Sequence, residues 1–163
     1  MFLLVILYTW NICIIRRTEM KWLTHEVVTG VIVYTVTDDM LAAVYSMAGA
    51  IIPDKVEGNP FRRNLTHRGW SHWPMLYLLA GGLFCRGEEY LGIKLGTLGE
   101  IGAYMALGAL LHIAEDALCG KVPFFTPDQK IGVKLFKVGS VGEYLAALLL
   151  VVGCYGIKKV LMG

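Results

Sequence analysis

The chain has 163 residues, 56% of them hydrophobic and 17% charged, with a formal net charge of +2. Soluble domains average about 45–50% apolar and about 25% charged residues, so the composition excludes a disordered chain and disfavours an ordinary soluble globule. The charge is too weak for nucleic-acid binding by bulk electrostatics, and the length holds one domain.

Residues Met1 to Ile15 are almost wholly apolar and end at Arg16-Arg17. That is short of the roughly 20 residues that cross a bilayer. No basic residue precedes the stretch and no small-residue cleavage site follows it, so it does not read as a signal peptide. Residues 1–19 are either a thin apolar anchor or an extension upstream of a start at Met20. Residues 20–163 read as a single membrane-associated helical domain.

Five apolar stretches follow: Trp22–Thr37, Asp38–Ile52, Trp70–Cys85, Leu95–Cys119 and Val141–Met162. Asp38-Asp39 opens the second, as acids favour helix N-termini. Pro53 ends it, and a polar loop runs from Asp54 to Arg68. Gly87-Glu88-Glu89 separates the third from the fourth. The fourth carries Gly102, Ala106, Gly108 and Ala109, small residues that permit close helix packing. Within residues 121–140 the loose alternation of Lys130–Val138 suits a short surface strand or hairpin. The fold expected is an all-α, small polytopic membrane bundle. The four cysteines, Cys13, Cys85, Cys119 and Cys154, are far apart and form no CxxC pair; they read as small core hydrophobes.

The four histidines are His25, His67, His72 and His112. His112 and Asp116 are four apart, on one helical face, a spacing that can grip one metal ion. If the five stretches alternate in direction, His25, Asp54, His67, His72, His112 and Asp116 all land at one end of the bundle. A single histidine at a helix end is ordinarily a structural hydrogen bonder. Four of them with two acids at one end point to a metal site. Eleven of the 15 basic residues fall at that same end; only Arg86, Lys94, Lys158 and Lys159 lie at the other. The positive-inside rule then places the site at the cytoplasmic face. Arg62-Arg63 is either a topogenic charge pair or a holder of an anionic substrate or lipid headgroup. Arg68, inside the histidine loop, is the better phosphate-binding candidate. Glu57, three after Asp54, is either a ligand or loop surface.

Several of these pieces resemble the YdjM-like group of bacterial membrane-associated, metal-dependent hydrolases. They are Thr24-His25, Pro53-Asp54, His67-Arg68-Gly69-Trp70-Ser71-His72 and His112-Ile113-Ala114-Glu115-Asp116, followed by Pro123-Phe124-Phe125 and Gly139-Ser140 with Glu143. Their order matches over about Met20–Gly163. The family commonly carries a second acid and a histidine just after Pro-Asp; Lys55 and Val56 stand there in this chain. The order also resembles, more distantly, the first part of the zinc-dependent phospholipase C and nuclease P1 type of all-helical enzyme. No histidine follows His112, so a three-metal site is not expected.

The resulting expectation is one or two Zn²⁺ or Mn²⁺ ions held by His25, Asp54, His72, His112 and Asp116, activating water for hydrolysis. His67 is a further ligand or a general acid. Arg68 holds a phosphate, and Glu143 orients a ligating histidine. A membrane setting implies a lipid-like phosphoester as substrate, membrane lipid as a partner, and the bacterial inner membrane as the location. The competing class is a non-catalytic scaffold with a structural metal, working as a homo-oligomer or as a subunit of an envelope complex.

Overall fold

The computed structural model describes residues 20–57, 68–92, 94–135 and 140–162. The chain enters α1 (Met20–Thr37) and turns at Asp38, which takes a left-handed φ of 56°. Asp39 then caps α2 (Met40–Ala50): its Oδ1 accepts from Leu41 N–H at 2.8 Å and from Ala42 N–H at 3.3 Å, satisfying two of the helix's orphan donors. The acid pair therefore opens this helix as its chemistry predicts.

Pro53 acts differently from the expectation that it stops the helical path. α2 ends at Ala50, and a new helix α3 (Ile52–Glu57) begins at once. Proline tolerates the first turn, where its missing N–H has no partner to lose. The proline redirects the chain instead of releasing it, and it sets Asp54 on an ordered helix.

A 3-10 turn (Trp70–His72) leads into α4 (Pro74–Leu91). Gly87-Glu88-Glu89 does not break this helix. An Arg86–Glu89 ion pair of 2.6 Å lies on its exposed side, and charges on a solvated face do not end a helix. The break falls at Gly92 and Gly96, with φ of 65° and 50°, values that favour glycine. α5 (Thr97–Cys119) follows, then strands β1 (Val122–Pro123) and β2 (Lys130–Ile131), then α6 (Val141–Met162). The strands pair antiparallel, Val122 opposite Ile131, which is the hairpin expected between 121 and 140. Beyond β2 the chain returns to α5. Val133 N–H donates to Ala117 O and Leu135 N–H to Leu118 O, covering carbonyls that α5 leaves open.

The bundle is centred on α5, which packs against α2 and α4; α1 packs on α2, and α6 on α1. Two glycines let α2 and α5 touch backbone to backbone. A methyl group on Gly49 would overlap the Met105 carbonyl, and one on Gly108 would overlap the Ser46 carbonyl. Lys158, late in α6, forms an ion pair with Asp38 at the end of α1, while Glu143, at the start of α6, lines a pocket with His25. The two helices therefore run parallel, as five alternating passes require. Among the described residues, Thr97–Cys119 and Val141–Val160 are long and apolar enough to cross a membrane.

Candidate metal centre

Every donor expected from the sequence that lies in a described segment comes to one end of the bundle. His25 comes from the first third of α1, Asp54 from α3, His72 from the 3-10 turn, and His112 and Asp116 from the end of α5. His67 lies outside the described residues.

Four donor atoms face one another. His72 Nε2 is 3.3 Å from Asp54 Oδ1 and 3.4 Å from Asp116 Oδ2. His112 Nε2 is 3.6 Å and 3.8 Å from the same two oxygens. These separations are long for good hydrogen bonds. Two donors each bound at about 2.0–2.2 Å to a tetrahedral ion lie about 3.3–3.6 Å apart. The set matches the edges of a coordination shell better than a hydrogen-bonded cluster. His25 Nε2 approaches the other oxygen of the same acid, Asp116 Oδ1, at 3.7 Å. Its ring centroid is 4.3 Å from that of His112.

His112 supplies the independent test of fit. Its side chain is 1% exposed, and neither ring nitrogen has a hydrogen-bond partner. A buried imidazole left unsatisfied costs about 1–3 kcal/mol, and buried polar groups are ordinarily paired. A cation taken up at Nε2 accounts for that atom. The donors are histidine nitrogen and carboxylate oxygen, the set suited to Zn²⁺ and its neighbours.

Two glutamates set the other two rings. His25 Nδ1–H donates to Glu115 Oε2 at 2.6 Å, and His72 Nδ1–H to Glu57 Oε1 at 3.1 Å. Each leaves Nε2 facing the centre. A carboxylate behind a ligating histidine fixes its tautomer and raises its basicity. Glu57 also organises the loop before the 3-10 turn. It accepts from Arg68 N–H at 2.9 Å, Gly69 N–H at 2.6 Å and the Ser71 hydroxyl at 2.8 Å. It is therefore a support for His72 and not loop surface. Glu143 is buried and lines the pocket behind His25, but the carboxylate seated on His25 is Glu115. Sequence reading did not single out Glu115; the signal was an acid three residues after His112, within the same helical turn. Glu115→Gln or Glu57→Gln is expected to weaken Zn²⁺ affinity by roughly 10–100-fold, measured by competition with a chromophoric chelator.

Charge follows this geometry. Burial works against the charged ring of His72. The carboxylates of Asp116, Asp54 and Glu57 around it outweigh burial and push the pKa from 6.5 up to about 10. Burial likewise opposes the Asp54 carboxylate, but His112 and His72 beside it hold its carboxyl well below the usual range. Because the His72 pKa is raised, its contribution to the stability of the empty protein is complete below pH 6.5 and is lost as pH rises through about 10. The Asp54 contribution is present above pH 3.8 and is lost as pH falls toward its depressed pKa. A metal must displace the His72 proton. Zn²⁺ affinity is therefore expected to tighten by about tenfold per pH unit between pH 7 and 9. A flat profile in a chelator titration would contradict the placement of His72 as a ligand.

Arg68 sits beside the centre, with a left-handed φ of 59°. Its Nη2 donates to Asp116 Oδ1 at 2.6 Å and its Nη1 to the Asp116 carbonyl at 3.3 Å. No family model, curated protein or solved structure matches the chain.

Proposed function

We propose that the chain is a membrane-bound, metal-dependent hydrolase of a phosphoester, such as a phospholipid or a lipid-linked phosphate. The observation that carries this reading is the convergence of His72, Asp54 and Asp116 on the buried imidazole of His112, which has no hydrogen-bond partner. Those residues hold Zn²⁺ or Mn²⁺, with His25 as the further donor. The ion supplies Lewis acidity and makes water nucleophilic near neutral pH. The remaining work belongs to the chain. Glu57 and Glu115 fix the rings of His72 and His25. Arg68 brings a permanent positive charge suited to a phosphate oxygen. His67 is assigned the proton donated to the leaving group.

The membrane assignment is supported by α6. Leu145, Leu148, Leu149, Val152, Tyr155, Ile157 and Val160 are all exposed on it. An apolar helix packed inside a soluble protein would hide such residues. With α5 it anchors the bundle, and the shorter helices cross beside them. The excess of basic residues that the sequence assigns to the site end supports a cytoplasmic orientation of that end in an inner membrane.

A structural metal in a scaffold protein is the second reading. It is favoured by burial, since His25, His72, His112 and Asp116 are each at most 5% exposed. Catalytic ions keep an open position and structural ions do not. The deciding experiment uses the detergent-purified chain, with metal measured by elemental analysis and hydrolysis by phosphate or headgroup release from phospholipid vesicles and simple aryl phosphoesters. Bound metal with hydrolysis that stops on chelation supports the enzyme. Bound metal with no hydrolysis supports the scaffold, and absence of metal after supplementation removes both.

A further inference from the structure

We propose that Arg68 occupies the place of a second cation, so that the centre takes a single divalent ion. The inference rests on the metal reading above and concerns how many ions that site accepts. His25, His112 and Asp116 form a second buried group whose donor atoms lie within 4.8 Å of one another. On donor count alone this group invites a second ion, with Asp116 bridging. Its two oxygens do face two ways: Oδ2 toward His72 and His112, Oδ1 toward His25.

A bridging role needs Oδ1 free. Arg68 Nη2 already donates to it at 2.6 Å, in a salt bridge whose partners are 12% and 7% exposed. Three features hold it there. Its Nη1 also donates to the Asp116 carbonyl. Its own amide is fixed on Glu57 Oε2 at 2.9 Å. Its guanidinium lies against Gly120, where a methyl group would overlap Nη1. Gly120 has φ −165° and ψ −163°, extended backbone that an alanine also adopts, so the glycine serves the close approach. Arg68 therefore neutralises Asp116 from the side on which a second ion would sit, and repels that ion.

The test counts ions. Metal-free wild type, Arg68→Ala, Arg68→Lys and Gly120→Ala are saturated with Zn²⁺, desalted and measured by elemental analysis. A parallel Mn²⁺ loading is examined by electron paramagnetic resonance. The wild type and Arg68→Lys are expected to hold about one equivalent with an isolated-ion Mn²⁺ spectrum. Arg68→Ala is expected to hold about two, with the spectrum of a coupled pair. Gly120→Ala, which pushes the guanidinium aside without deleting it, is expected to move the same way and gives the answer if Arg68→Ala does not fold. Two equivalents in the wild type would overturn the inference and leave the metal reading intact. One equivalent in both folded variants would also overturn it. No metal in the wild type would instead remove the metal reading itself.

Discussion

Replacing His112 with leucine is expected to weaken metal binding by roughly a hundredfold or more and to destabilise the empty protein far less than the same change at His72. Both consequences follow from the unsatisfied ring. His112 is the donor common to both buried groups, so its loss removes an edge from each. Zinc binding by a four-ligand site is worth about 10–16 kcal/mol; losing one ligand of four costs roughly a hundredfold in affinity or more. In the empty protein the same imidazole is buried without a hydrogen-bond partner, and a leucine of similar size removes that desolvation penalty of about 1–3 kcal/mol, which offsets the lost support of His112 to the Asp54 carboxylate. His72→Leu is the contrast. His72 stands among Asp54, Asp116 and Glu57, and its removal leaves buried carboxylates uncompensated, a loss of about 3–5 kcal/mol. Metal affinity and thermal unfolding of the two metal-free variants separate these cases. A His112→Leu protein that unfolds as readily as His72→Leu would show that His112 is held by hydrogen bonds and is not waiting for an ion.

Gly108→Ala is expected to cost about 3 kcal/mol or more, a Tm lower by roughly 6–12 °C. Adding one methyl to a helix ordinarily helps, by about 0.5–1 kcal/mol. At Gly108 the methyl meets the Ser46 carbonyl. That atom is helix backbone, so no side chain can rotate away and α2 must separate from α5. Asp54 rides on α3, directly after α2, while His112 and Asp116 ride on α5. Separation therefore opens the donor set as well, and metal affinity should fall together with Tm. Gly82→Ala is the control. Nothing lies within 4 Å of its added methyl, and it should leave both quantities unchanged or slightly improved.

The helices were legible where punctuation is chemical. Asp39 at an N-cap and the polar stretch after Cys119 each mark a boundary by backbone hydrogen bonding, which local sequence controls, whereas α4 opens at Pro74 and not at Trp70. Gly87-Glu88-Glu89 misled because composition does not reveal which face a charge occupies. Glu89 pairs with Arg86 on the exposed side of α4, and the helix runs on through all three residues. The donor set was legible because alternation of direction alone decides which ends meet. Its supports were not. Whether Glu115 or Glu143 stands behind His25 depends on the rotation of α5 and α6 about their axes, and residue spacing within one helix carries no information about rotation against another. The Arg68–Asp116 bridge depends on a left-handed residue at Arg68, a conformation that non-glycine residues adopt uncommonly.

The donors stand at positions 25, 54, 72, 112 and 116, spread over four separate elements. During synthesis no fragment ending before α5 holds His112 or Asp116, and neither buried group can form. An ion could therefore be captured only once α5 is complete, and a bound ion would report that α1, α3, the 3-10 turn and α5 have come together. Binding to that state alone, at a hundredfold excess over Kd, would add about 2.7 kcal/mol to its stability, withheld from any chain cut before the end of α5.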